Sequence, residues 1–153
     1  MSFKVFRAGM VVAVGVATLL GVGACSLLAP AYRDASGQVT ATASVGITSL
    51  KTGDCIYDVS NMPDPITKVQ VVPCSAQHEG EVFATESNVA NVADDIVNFC
   101  IDQFASYVGI GFNDSQLTAK YFGSDVSSAN TDVQCIVFMP GQMVSQSYKG
   151  SQQ

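Results

Sequence analysis

Tryptophan is missing from this sequence, histidine occurs once, and no two of its five cysteines stand close together. Each absence removes a class of function. Structural zinc sites draw ligands in pairs two to four residues apart, whereas Cys25, Cys55, Cys74, Cys100 and Cys135 are spread singly, with His78 the one histidine to join them. No CxxC motif marks a dithiol oxidoreductase. Charge is scarce, at 13% of residues, and it runs acidic. All 13 acidic residues follow Cys25, together with five of the seven basic ones, so the chain beyond that cysteine carries a net charge near −8. This excludes nucleic acid and an anionic lipid surface as partners. Gly109-Ile110-Gly111 is too short for a phosphate loop and follows a helical pattern rather than a strand, so no nucleotide or other cofactor is expected.

The first 25 residues fall into three zones: a basic start with Lys4 and Arg7, an apolar run over 10–20, and Val22-Gly23-Ala24 before Cys25. This is the layout of an export signal, and it delivers everything after it to the far side of the membrane. The ending resembles the lipobox of bacterial lipoproteins, in which the cysteine thiol is acylated and becomes the first residue. Cys25 is therefore the expected lipid attachment site. Two or more acyl chains, at about 0.8 kcal/mol per buried methylene, hold a protein on the membrane essentially permanently. Two other readings stay open. Val22 and Ala24 also suit an ordinary signal-peptidase site, giving free secretion, and the uncharged run from Ala8 to Tyr32 exceeds the roughly 20 residues that span a bilayer uncut.

The expected organisation is a signal peptide over 1–24, a lipidated cysteine and flexible tether over 25–46, a folded extracytoplasmic domain over 47–141, and a frayed polar tail over 142–153. Residues 66–72 alternate, with Val69 and Val71 on one face and Lys68 and Gln70 on the other, which predicts a half-exposed strand. A turn carrying His78, Glu79 and Gly80 leads to a second strand at 81–85, paired with the first. Over 91–108 an apolar arc of Val92, Ala93, Ile96, Val97, Cys100, Phe104 and Tyr107 faces Asp94, Asp95, Asn98 and Asp102, an amphipathic helix that Gly109 can end. A weaker strand follows at 116–122. The run 133–139, apolar on both faces, predicts a central strand. The fold class is α+β: a small antiparallel sheet of about four strands packed on one amphipathic helix.

With Cys25 assigned to lipid, the other four cysteines form an even set in a compartment where disulfides persist. Three connectivities are possible. Cys100 lies on the buried helical arc and Cys135 on the central strand, which favours pairing them and leaves Cys55 with Cys74. Each bridge contributes roughly 3 to 4 kcal/mol on the chain-entropy model. The carboxylate pairs Glu79 with Glu81 and Asp94 with Asp95 read as solvated surface charge, and His78 as a turn residue. No catalytic or metal-ligating set stands out. A thiol-redox enzyme using Cys74 with His78, and a carrier holding an apolar ligand between helix and sheet, are the competing readings.

Taken together, Gly53-Asp54-Cys55, Val72-Pro73-Cys74, His78, Glu81-Val82-Phe83-Ala84, the helix with Cys100 and Tyr107, and Cys135 resemble the actinobacterial septum-formation domain family. The resemblance implies a small α+β domain displayed outside the cell on a lipid or transmembrane anchor, with paired cysteines and no established enzymatic activity. It also implies envelope or division proteins as partners. On this reading residues 73–83, with His78 and Glu81, form the contact surface. One feature departs from the family: its tryptophan shortly before the final cysteine is replaced here by a polar stretch around Ser127 and Ser128.

Overall fold

The computed structural model describes residues 32–63, 65–123 and 128–153. Cys25, the export signal and the apolar run lie outside the described residues. Among those described, no helix is long and apolar enough to cross a membrane.

The protein is α+β, with one α-helix, a six-stranded antiparallel sheet and two disulfides. In chain order the elements are β1 (Ala43–Gly46), β2 (Cys55–Ile56), β3 (Lys68–Val72), β4 (Gly80–Ala90), α1 (Ala93–Val108), β5 (Thr118–Gly123) and β6 (Asn130–Phe138), with single 3-10 turns at Ile47–Ser49 and Phe112–Asp114. The sheet order is β1-β3-β2-β4-β6-β5. The four anticipated strands are present, joined by two short ones. β2 inserts between β3 and β4, which therefore do not pair directly: Cys55 lies opposite Val72 on one side and Glu81 on the other.

Both faces of the sheet are covered, which accounts for the doubly apolar β6. Val133, Cys135 and Val137 pack beneath α1 with Phe83, Phe104 and Val108. On the opposite face Ile136 and Phe138 join Ile56, Val59, Val71 and Val82. A register shift between Val82 and Ala84 turns β4 so that Val82 serves one core and Phe83 the other. The helix buries Ile96, Cys100, Phe104, Tyr107 and Val108. Val92 and Val97, expected on that arc, are exposed, as is Ala93. Asp94 and Asp95 occupy the first turn, where the helix dipole favours them, and Gly109 closes the helix in the left-handed conformation at φ 88°.

Two expectations at the ends of the domain are corrected. Residues 32–46 belong to the fold. Arg33 sends both guanidinium NH groups onto the Asp54 carboxylate at 2.6 Å, in a pair that is almost wholly buried, and β1 forms an edge of the sheet. The Asp54 bond, ahead of any opposing burial, holds the Arg33 guanidinium well above its ordinary range. Residues 142–153 are likewise docked, not frayed. Tyr148 is buried, and the N–H groups of Gly150 and Gln152 donate to the carbonyls of Tyr107 and Val108 at 2.8 and 2.9 Å. The C-terminal segment thus satisfies acceptors that the end of α1 leaves open.

Candidate functional site

The segment His78-Glu79-Gly80-Glu81, expected on a turn and at the surface, runs through the interior. Its solvated-carboxylate reading is corrected: Glu79 is 3% exposed and Glu81 is 2% exposed, while His78 is fully buried. Charged side chains are almost never buried without partners, and Glu79 and Glu81 each have their own, whereas His78 Nε2 is buried with no hydrogen-bond partner.

Glu79 ties two loops to the start of β4. Its carboxylate accepts from Val59 N at 2.6 Å, Ser60 N at 2.8 Å, Gly141 N at 2.8 Å and the Ser60 hydroxyl. Burial alone would raise this carboxyl, but the four donors outweigh it and bring the group down from 4.5 to about 2. Gly80 is fixed by space: a Cβ there would stand 2.5 Å from Val59 Cγ2. The His78 backbone pairs with Val144 in both directions. Its Nδ1 lies 2.9 Å from Ala76 O, an acceptor only, so Nδ1 carries the proton. The ring meets Tyr148 edge-on at 6.3 Å. Neither His78 nor Glu81 offers its side chain to a protein surface. Within 73–83, Ser75, Ala76 and Gln77 are the exposed residues.

Glu81 does face a cavity. Its two oxygens accept from Tyr107 Oη at 2.5 Å, from Ser147 Oγ at 2.7 and 2.9 Å, and from Tyr148 N at 2.7 Å. Burial first, and the bond to Glu81 second, push the Tyr107 hydroxyl upward, so it stays a donor. The cavity, of about 310 Å³, is lined by Glu81 and Tyr107 with Gln38, Thr52, Ser147 and Lys149, and Cys74 stands on its wall. Cys74 is half-buried and bridged to the buried Cys55. The two sulfurs and a Glu81 carboxylate oxygen lie within 4.8 Å of one another. Glu81 is thus the carboxylate clustered with both sulfurs, and His78 is not part of that cluster.

The second bridge, Cys100–Cys135, pins α1 to β6 within the apolar core. Above it runs a shallow groove of about 90 Å³ between α1 and β5, flanked by Val97, Ile101 and Tyr121, which are 41%, 42% and 40% exposed. Small-ligand sites need about 300 Å³ or more, and the space between helix and sheet is filled by Phe83, Phe104, Tyr107 and Phe112. An apolar-ligand carrier finds no room there.

No family model, curated protein or solved structure matches this chain.

Sequence reasoning found the four cysteines of the fold and missed the burial of Glu79 and Glu81. It also missed Tyr107, Ser147 and Tyr148 as partners of Glu81. The one signal for them was a lone aromatic, Tyr148, within an otherwise polar ending.

Proposed function

We propose that this protein is an exported, lipid-anchored, non-catalytic binding or structural module of the cell envelope, of the septum-formation kind, held on the outer face of the cell membrane through Cys25. The pairing of the cysteines supports this reading most. Every cysteine after Cys25 is engaged in a disulfide, the chemistry of an oxidising compartment, and Cys25 is the one left over for acylation. Against a thiol-redox enzyme stands Glu81: a buried carboxylate beside the Cys55–Cys74 sulfurs opposes the thiolate that exchange requires.

The partner surface assigned on this reading moves from residues 73–83 to the α1–β5 groove, where three large apolar side chains are exposed together. Among the described residues β5 ends the sheet with no strand beyond it. An extended segment of an envelope protein fits such an edge, pairing with the backbone of β5 while its apolar side chains meet Val97, Ile101 and Tyr121. The anchor is tested by growth with a labelled fatty acid. Label is expected on the wild-type protein and none on Cys25→Ser, and a wild-type protein without label would remove the lipid anchor.

A further inference from the structure

The surroundings of Cys55–Cys74 contain more than a structural bridge needs. One sulfur is buried and the other reaches the wall of a solvent-connected cavity. A carboxylate sits within 4.8 Å of both. Hydrogen bonds from Tyr107, Ser147 and the Tyr148 N–H hold that carboxylate in place. Oriented ligands with such supporting hydrogen bonds are the mark of metal sites. While the bridge is intact its sulfurs are poor ligands and the cluster is masked.

We infer that reduction of Cys55–Cys74 uncovers a site for a thiophilic divalent cation, with Zn²⁺ the type case, held by Cys55 Sγ, Cys74 Sγ and the Glu81 carboxylate. A dithiol reductant supplies the two electrons and two protons: its own sulfurs close into a disulfide, and Cys55 and Cys74 become thiols. Cation binding then releases the two thiol protons to solvent. Zinc bound to thiolate at about 2.3 Å and to carboxylate at about 2.0 Å sets its ligand atoms about 3.5 to 3.8 Å apart. After reduction the two sulfurs, bonded to each other in the disulfide, must move apart to about 3.8 Å, and the sulfur–carboxylate spread of up to 4.8 Å must close by about 1.3 Å, both by side-chain rotation. The fourth position faces the cavity and is filled by water. Without a cation the reduced cluster gathers two ionisable thiols against a buried carboxylate, which favours the disulfide. With a cation the same carboxylate favours the reduced form. The site thus responds to reductant and metal jointly, and it stands whether or not the chain is lipid-anchored.

The test uses the full-length protein, treated with dithiothreitol under native conditions, freed of reductant and titrated anaerobically with Co²⁺ and then Zn²⁺. One Co²⁺ per chain with thiolate-to-cobalt charge-transfer absorption is expected after reduction and none before it, and Zn²⁺ should displace it. Glu81→Gln, which keeps both disulfides, is expected to bind Co²⁺ more weakly by at least the roughly 10- to 100-fold that loss of a ligand's supporting partner costs. Alkylation should show Cys55 and Cys74 protected by the metal. Absence of thiolate absorption in the reduced protein would overturn the inference. So would equal affinity in Glu81→Gln, or protection of Cys100 and Cys135 instead.

Discussion

The two disulfides close comparable loops, 19 and 35 residues apart, yet they sit in opposite chemical surroundings. Cys100–Cys135 joins helix to sheet among the buried side chains of Ile96, Phe104 and Val133. Cys55–Cys74 joins β2 to the turn that follows β3 at a polar end of the molecule, where Arg33–Asp54, Glu79 and Glu81 are all buried and paired. The first end is held by apolar burial with a covalent clamp inside it. The second is held by carboxylates that gather loops from distant parts of the chain. A shared bond type therefore tells little about role, because access and the nearest charge decide what each bridge can do.

The largest effect that separates the two ends is removal of the core bridge. Cys100→Ala with Cys135→Ala is expected to lower unfolding free energy by about 4 kcal/mol, against about 3 kcal/mol for Cys55→Ala with Cys74→Ala, on loop length alone. Urea denaturation of both double variants checks the order. Arg33→Ala should follow at about 3 kcal/mol, since it strands Asp54 as a buried charge whose remaining partner is the Lys51 N–H.

Gly80→Ala is expected to cost about 1 to 3 kcal/mol through its clash with Val59. Thermal unfolding of this variant reads the packing of the polar end without touching a charge.

Acid sharpens the contrast further. Glu79 titrates at about 2 in the folded protein against an ordinary 4.5, so its contribution is fully present above pH 4.5 and is lost as pH falls toward 2. Amide exchange should therefore rise first in the loops at Val59, Ser60 and Gly141 over that window, before it rises in α1. Simultaneous loss in both regions would contradict two separately held ends.

The smallest effect belongs to the exposed groove. Ile101→Ser should change stability by no more than about 1 kcal/mol, because the residue is already 42% exposed. Any loss of partner binding by that variant then reports the surface and not the fold.

How much of this was legible follows the same division. The apolar end is written in local pattern: the 3.6-residue arc puts Cys100 inward and the run 133–139, apolar on both faces, buries Cys135 whichever face it takes, so helix and strand follow and one of three pairings is favoured. The polar end is written in contacts that no window contains. Glu79 takes its donors from Val59 and Ser60, 20 and 19 residues away, and from Gly141, 62 away. Glu81 takes its own from Ser147 and Tyr148, 66 and 67 away. A carboxylate beside a glycine reads locally as surface, and a polar ending without period reads as frayed. β2 has two residues and β1 four, too few for alternation to show. Arg33 carries no local sign that Asp54, 21 residues on, will receive it.

On the proposed function the domain is lipid-held, and it carries one bridge with a half-buried sulfur and one bridge whose sulfurs are both buried. Intact mass of the full-length protein purified from its native membrane tests this directly, with thiols alkylated before reduction, after dithiothreitol under native conditions, and after reduction in denaturant. The expected result is a chain beginning at Cys25 with two or three acyl chains, showing no thiols, then two at Cys55 and Cys74, then four. A free thiol before reduction, an unacylated or uncleaved N-terminus, or all four thiols appearing together would contradict it.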